Sequence, residues 1–175
     1  PFWNEVCPTN LIVLFPVTKY LEQLAANDAT AISYIGLRNR MEGEDKILRA
    51  FFYFDLIRYF DKVPLIDKVV SASQAKNIGR SNLEDLYALI IEDLNKAISA
   101  LPAPSAYAAT DRGRVNKYAA KMLLGLVYMT RSGPTLGIEG AGLNSNEWAK
   151  AVEQFNEVIN SNEFSLLNSY NSIFD

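Results

Sequence analysis

The sequence predicts an all-α protein made of tetratricopeptide-like helical hairpins. Apolar residues recur with the helical period over three long stretches, and Pro, Gly and capping residues separate those stretches. Strand signals are poor, because the strand-like run 63–66 is short and Pro64 would block a central ladder, so we predict an extended linker there. Hydrophobic residues make up 49% of the 175 residues, which is enough apolar material for one domain with a core.

Two helices are predicted upstream of residue 45. Pro16 fits the first turn of a helix that ends near Asn27, since proline is tolerated at that position. Asp28 is then a candidate N-cap for a second helix that ends near Met41.

The segment Asp45–Phe60 is apolar around nearly its whole helical circumference. Such a helix is typically enclosed by its neighbours, so we expect it to be the most buried element. Its few charges can pair locally. Asp45 precedes Arg49 by four residues, and at that spacing the two side chains share one side of the helix. Asp55 precedes Arg58 by three residues and has the same opportunity.

The stretch Leu83–Leu101 is predicted to pair with Asp45–Phe60 as a first hairpin. Its apolar stripe recurs at helical spacing and consists of Leu83, Leu86, Tyr87, Ile90, Leu94, Ala97, Ile98 and Leu101. Ser81 and Glu84 form a capping box at the start of this helix. Pro102 follows its end, where the chain cannot continue as a helix.

The stretches Val115–Arg131 and Trp148–Asn160 form the second predicted hairpin. The first stripe is Val115, Tyr118, Ala119, Met122, Leu123, Leu126 and Val127, and the second is Trp148, Ala151, Val152, Phe155, Val158 and Ile159. The run 132–134, Ser-Gly-Pro, ends the first helix, and either Asn144 with Glu147 or Asn146 alone caps the second. Two hairpins are fewer than a solenoid usually needs, so other helices or a missing partner domain must close the ends.

Composition argues against several classes of function. The net charge is −3 and no block of basic residues occurs, so binding to nucleic acid or to anionic lipid is not predicted. The chain has no histidine, which removes the commonest general base and metal ligand. No stretch is long and apolar enough for a transmembrane helix. The chain begins at Pro1 without Met, which predicts a processed or truncated piece.

No catalytic residue, metal ligand or cofactor site is predicted. Neighbouring carboxylates occur as residues 42, 44 and 45, as residues 84 and 85, and as residues 92 and 93. We expect them at helix starts or on polar faces rather than facing a sugar bond. The glycine-rich segment 133–142 has no preceding strand and no Lys-Ser/Thr pair, so we expect a connector. Cys7 is the single cysteine and is expected to be a small buried hydrophobe.

Aromatic side chains are the candidate ligand contacts, because sugars stack their apolar faces on exposed rings. Those on the helical stripes are expected to pack in the core: Phe51, Phe52, Tyr59, Tyr87, Tyr118, Trp148 and Phe155. Trp3 and Tyr107 fall on no stripe and are the predicted ligand-binding residues, with Tyr170 as a further loop aromatic.

The segment Leu48–Ile66, LRAFFYFDLIRYFDKVPLI, resembles the signature of the SusD/RagB family. In that signature a helix of the type FLRA-x-YYFDLVR-x-F is followed by G-x-VPLI, and Asp61-Lys62 here replaces the frequent glycine. Further matches follow in family order: Arg80, Leu86-Tyr87, Asp93-Leu94, Leu101-Pro102, Gly113-Arg114, Lys117, Ala119-Ala120, Trp148-Ala149, Val158-Ile159, Tyr170 and Phe174.

The resemblance implies a non-enzymatic glycan-binding protein of nutrient uptake in Bacteroidetes-type bacteria. Such proteins are surface-exposed lipoproteins of the outer membrane, where they bind oligosaccharides or polysaccharides above a SusC-like TonB-dependent transporter. Contact with the membrane is through a lipid anchor absent from this chain. Family members continue well beyond this length, so residues 1–175 would be one helical domain that lacks the C-terminal ligand-binding part. The alternatives are a tetratricopeptide-type adaptor for another protein and a helical-barrel glycoside hydrolase.

Overall fold

The computed structural model describes residues 3–26, 35–75, 77–135 and 140–169, and the all-α prediction is confirmed. Every regular element of this described part is helical. The helices are α1 (Trp3–Ala26), α2 (Ile35–Phe60), α3 (Ala72–Ala75), α4 (Leu83–Ala100), α5 (Lys117–Ser132) and α6 (Trp148–Ile159), with short 3₁₀ turns at Pro104–Ala106 and Ala109–Asp111.

The helices stack as two hairpins, and both predicted pairings are confirmed. Helix α2 packs on α4, α5 packs on α6, and α4 joins the hairpins by packing on α5. Helix α1 covers another side of α2. The largest fully buried apolar side chains of the core are Tyr53, Leu56, Ile57, Leu86, Tyr87, Ile90, Leu94, Leu124 and Val127.

The N-terminal helices differ from the prediction. Helix α1 begins at Trp3, so Pro16 lies in its interior, where it has no N–H for the helical hydrogen bond. Burial of Leu14, Val17 and Leu24 helps to offset that loss. Helix α2 runs without a break past Met41, where an end was predicted, and Asp28 lies outside the described residues.

The continuity of α2 is explained by close packing at Gly43. A Cβ atom at this position would lie 3.0 Å from Leu101 Cγ, at the end of α4. Glycine therefore lets the two helices approach closely, and this tertiary contact outweighs the low helix propensity of the residue.

Helix α2 is central but not enclosed. Ala50 and Leu56 are fully buried, whereas Leu48, Phe51 and Tyr59 lie on a face that is exposed in the described structure. The prediction of an enclosed helix was therefore wrong for this face. An apolar circumference indicates which side chains are suited to burial. The described neighbouring elements pack against only part of this circumference.

Residues 63–66 after α2 form neither helix nor strand, which agrees with the predicted linker. Its Ile66 N–H donates to the hydroxyl of Tyr53 over 2.7 Å, and the same hydroxyl lies 3.3 Å from the Ile66 carbonyl oxygen. Ser81 does not form the predicted capping box, because its hydroxyl accepts the Leu65 N–H. Asn82 is the N-cap of α4 and makes no side-chain capping bond.

A buried ion triad joins α2 to α4. The Asp93 carboxylate accepts hydrogen bonds from Lys46 Nζ over 3.0 Å and from Arg49 Nε over 2.6 Å, and all three residues are buried. Burial acts to lower the pKa of Arg49, but the hydrogen bond and the charge of Asp93 outweigh it and hold the pKa above its ordinary value. The predicted Asp45–Arg49 pair is wrong, whereas the Asp55–Arg58 pair is confirmed at 2.8 Å.

The second hairpin is closed by side chains at both ends. The Asn116 side chain caps α5 by accepting the N–H groups of residues 118 and 119, and Gly133 ends the helix as predicted. Helix α6 starts after Glu147, whose N–H donates to the Ser132 hydroxyl over 2.7 Å. The predicted caps Asn144 and Asn146 are wrong, because both adopt positive φ within the preceding turn.

Helices α5 and α6 touch where α5 has no side chain. A Cβ atom at Gly125 would overlap Phe155 Cε1, since it would lie closer than real Cβ contacts come. Glycine at this position thus sets the separation of the two helices.

Asp93→Ala is expected to destabilise the protein by about 3–5 kcal/mol, because it leaves Arg49 buried without its counter-charge and leaves Lys46 with the more distant Glu42, whose Oε1 atom lies 4.0 Å from Nζ. The neighbouring Glu92→Ala is the matched control, because Glu92 is exposed and its ion pair is with the exposed Lys96. Its cost should stay within about 0.5 kcal/mol. Urea unfolding measures both free energies, and equal losses in the two variants would contradict the role of the triad.

Gly125→Ala is expected to cost about 1–3 kcal/mol by forcing α6 away from α5. Gly36→Ala is the control within helix α2, since no atom of the described residues lies within 4 Å of a Cβ atom there. That substitution should stabilise the protein by up to about 1 kcal/mol through helix propensity. Thermal unfolding compares the two, and a Gly125→Ala protein as stable as wild type would show that the close approach is not required.

Candidate ligand-binding surface

The two predicted ligand-binding residues lie in different kinds of structure. Trp3 is the first residue of α1, so its assignment to a loop was wrong, and its side chain lies outside the described part of the structure. Tyr170 also lies outside the described residues. Tyr107 is in a loop, as expected, between the two 3₁₀ turns that follow α4.

Tyr107 is half-buried, and both its hydroxyl and its aromatic ring contact neighbouring groups. Its hydroxyl donates to the Val115 carbonyl oxygen over 2.7 Å, which ties the loop to the start of α5. The guanidinium carbon of Arg40 lies 5.7 Å from the ring centroid, within the range of a cation–π contact. Burial, with the charge of Glu44 as the next cause, raises the pKa of the phenol. The ring is therefore fixed in place while part of it stays accessible.

A network of four charged side chains surrounds this ring. Arg40 Nη1 lies 3.0 Å from Asp111 Oδ2, and Arg114 Nε lies 3.1 Å from Asp111 Oδ1. Arg114 Nη1 also lies 3.0 Å from Glu44 Oε2. The hydrogen bond from Arg40 is the main cause that holds the pKa of Asp111 below its usual range. These pairs tie the loop to α2 and place charged groups beside an aromatic ring.

Asp45 adds an unusual carboxyl group at the neighbouring position of α2. Its Oδ2 atom is buried and has no hydrogen-bond partner among the described residues. Burial, and secondly the charge of Glu44, raises the pKa of Asp45 to about 6. The same two carboxylates contribute, after burial, to a raised pKa of Tyr20 on α1.

A second candidate surface lies at the end of α2 and was missed by sequence reasoning. An open groove of about 430 Å³ is lined by Arg58, Tyr59, Phe60, Asp61, Arg80 and Gly140. Tyr59 is 44% exposed, although its place on an apolar stripe predicted burial. The charge of Arg58, which directly precedes the two aromatics and is exposed, is the sequence signal that could have indicated a solvent-facing helix end.

Two other aromatics assigned to the core are also exposed. Phe51 and Trp148 are about half exposed, whereas Tyr87 is fully buried as predicted. Phe155 is partly buried against α5. A helical stripe identifies the apolar side of a helix, but it does not say whether a neighbour lies against that side.

Most of the neighbouring carboxylates lie in positions where they stabilise the fold. Glu84 and Asp85 lie in the first turn of α4, as predicted. Glu44 is instead inside α2 and paired with Arg114. The expectation that Asp93 lies on a polar face was wrong, because Asp93 is buried in the ion triad.

Within the described residues, no group of three His, Cys, Asp or Glu side chains is placed to hold a metal ion. No described helix combines the length and apolar character required to span a bilayer.

Comparison with known proteins gives one consistent family. Residues 12–129 match the SusD-like family model described as "Starch-binding associating with outer membrane". A SusD-like protein of Bacteroides ovatus is 30% identical over 134 residues, which cover 75% of this chain and 22% of that protein. The chain thus spans less than a quarter of the length of this curated relative.

Solved structures of the same family share the fold. A SusD superfamily protein of Parabacteroides distasonis is 28% identical with a TM-score of 0.79, over 97% of this chain and 34% of that one. A laminarin-binding SusD-like protein is 26% identical with a TM-score of 0.76, over 92% of this chain and 32% of that one.

Asp45→Asn is expected to change how stability depends on pH. The pKa of Asp45 rises from 3.8 to about 6 on folding, so the folded protein holds this proton more tightly than the unfolded chain. The resulting stability is fully present below about pH 4 and is lost as the pH rises to about 6. The Asn variant escapes that loss, so its stability relative to wild type should rise over this range and then level off. Urea unfolding from pH 4 to pH 7.5 measures the difference, and a difference independent of pH would contradict the assignment.

Proposed function

Because this chain belongs to the SusD/RagB family of SusD-like proteins, we propose that it is the helical part of a non-enzymatic, surface-exposed glycan-binding protein. A relative at 26% identity is a laminarin-binding protein, which supports an oligosaccharide or polysaccharide as the ligand. The family description supports a location at the outer membrane. In this proposal the protein is a lipoprotein and delivers glycan to a SusC-like TonB-dependent transporter.

The chain is proposed to be one domain of a longer protein, whose remaining part supplies more of the glycan site. The relatives contain most of their length outside the matched segment, which supports this division. The helical domain then acts mainly as a scaffold that also contributes ring contacts from its edges.

The surface around Tyr107 is the observation that supports a direct role of this domain in glycan binding. A half-exposed ring fixed by its own hydroxyl bond costs little conformational entropy when a sugar stacks on it. The charged groups of Arg40, Asp111 and Arg114 beside the ring are donors and acceptors suited to sugar hydroxyls. Trp3 at the start of α1 is retained as a second proposed contact, on the sequence argument alone.

A protein-binding adaptor is the second candidate function. The observation that favours it is the set of exposed apolar side chains on α5 and α6, which a tetratricopeptide-type surface would present to another protein. Glycan binding would be absent in that case.

Tyr107→Leu is expected to weaken glycan binding about fivefold, since stacking on an aromatic ring contributes on the order of 1 kcal/mol. Tyr107→Phe keeps the ring and should retain affinity, although loss of the bond to Val115 lowers its melting temperature. Trp3→Ala should also weaken binding. The measurement is calorimetry with laminarin and other oligosaccharides, chosen by glycan array, on the full-length polypeptide.

Tyr128→Ala is the matched control, because Tyr128 is another half-buried tyrosine under a cation, on α5 and away from the loop. It should leave affinity unchanged. The oligosaccharide should be recovered intact after incubation, since no catalytic role is proposed. If Tyr107→Leu and Trp3→Ala both bind as wild type, neither residue contacts the glycan and the proposed role of the Tyr107 surface is wrong. Binding of no glycan by the full-length protein would favour the adaptor.

A further inference from the structure

A polar cavity of about 220 Å³ lies between α2 and α4, beside the buried ion triad. Its polar lining residues are Asn39, Glu42 and Lys46 of α2 and Lys96 and Ser99 of α4. The α2 residues recur at spacings of three and four, so they share one side of that helix. The cavity is larger than a single carboxylate group needs, since one water molecule takes about 30 Å³ of the liquid.

Two small residues complete the lining of this cavity. They are Gly43 of α2 and Ala100 of α4. A Cβ atom at Gly43 would lie 3.1 Å from the Cβ atom of Ala100, so the two helices approach each other closely here. The apolar part of the cavity is therefore backbone and one methyl group, and the rest of its lining is polar.

Lys46 is the buried cation of the cavity, and its side chain is only 9% exposed. It donates to Asp93 Oδ1 over 3.0 Å. Arg49 engages both oxygens of the same carboxylate, over 2.6 Å at Oδ2 and 2.9 Å at Oδ1. The triad thus holds two buried cations and one buried carboxylate. One positive charge is in excess, and the cavity is the place where Lys46 carries it.

The Lys46 ammonium has hydrogen-bond donors left for a ligand. An ammonium group carries three N–H donors, and the bond that Lys46 makes among the described residues is the one to Asp93. Glu42 Oε1 lies 4.0 Å from Nζ, which is too far for a hydrogen bond. Because a buried charge without close compensation is unfavourable, an anionic group in the cavity would be stabilised by Lys46.

The rim of the cavity adds a second cation and two neutral groups. The side chain of Lys96 is 51% exposed, and its pair with the exposed Glu92 contributes little, so it can turn toward a ligand at small cost. Asn39 supplies an exposed amide. The Ser99 hydroxyl donates to the Lys96 carbonyl oxygen and can still accept a hydrogen bond. The ammonium groups suit a carboxylate, whereas the amide and the hydroxyl suit sugar hydroxyls.

We propose that this cavity binds an acidic sugar unit, with the carboxylate of a uronic acid between Lys46 and Lys96 and the ring hydroxyls beside Asn39 and Ser99. Arg40, which contacts the Tyr107 ring, follows Asn39 and lies about 100° around α2 from it. The cavity is therefore next to the Tyr107 surface. This inference rests on the proposed glycan binding and adds the chemical class of one sugar unit.

Calorimetry with glucuronate on the full-length polypeptide tests the proposal. Glucose lacks the carboxylate and acetate lacks the ring, so each should bind at least about tenfold more weakly than glucuronate. Lys96→Glu should weaken glucuronate binding about tenfold, because it replaces an attractive charge by a repulsive one. Lys150→Glu is the matched control, since Lys150 is another exposed lysine in a local ion pair, with Glu147. It should bind glucuronate as wild type.

Glu42→Gln is expected to act in the opposite direction. It removes a carboxylate that competes for Lys46, so glucuronate should bind more tightly to this variant than to wild type. A crystal of the full-length polypeptide soaked in glucuronate locates the ligand, whose carboxylate should lie within about 3 Å of Lys46 Nζ.

Four results would overturn the proposal: no binding of glucuronate, equal affinity for acetate, unchanged affinity in Lys96→Glu, or a soaked ligand found away from Lys46. Equal affinity for acetate would mean an adventitious ion only. The proposed function is measured separately, by laminarin binding and its response to Tyr107→Leu. A protein that binds laminarin but not glucuronate would therefore contradict this inference alone.

Discussion

The buried carboxylate of Asp93 is the constraint on which the arrangement of the helices depends. It lies on α4 and receives its hydrogen bonds from Lys46 and Arg49 of α2. A buried charge without its partners is strongly unfavourable, so α2 and α4 can pack in only one register. Lys46 and Arg49 are three residues apart and therefore share one side of α2. The same register brings Gly43 against Leu101 and closes the hairpin.

That register also determines where the candidate ligand surface forms. The loop after α4 returns along α2, where Arg40 pairs with Asp111 and Glu44 pairs with Arg114. Tyr107 is held within the loop by its bond to the start of α5. The ring is thus positioned by α2 and by the start of α5 rather than by the loop alone. A rigid scaffold with a polar, aromatic loop at its edge is a common arrangement for a binding protein.

The second hairpin extends this scaffold in one direction. Gly125 allows α6 to lie close against α5, and α5 in turn packs on α4. The apolar side chains of α5 and α6, and those of α2 around Phe51 and Tyr59, form two exposed surfaces of the described structure. Stacked hairpins do not by themselves define a function, so the family relationship and the loop chemistry carry that conclusion.

The sequence by itself determined the fold class, the hairpin pairing and the family, because these depend on periodicity and on a local motif in Leu48–Ile66. It did not place Asp93 in the core or Tyr59 at the surface. Its identification of Tyr107 as a loop aromatic was correct, but the bond to Val115 could not be foreseen. Periodicity describes one helix at a time, whereas burial depends on which sides of different helices meet. Only the tertiary structure decided that, since side chains such as Asp93 and Lys46 come together across distant parts of the chain.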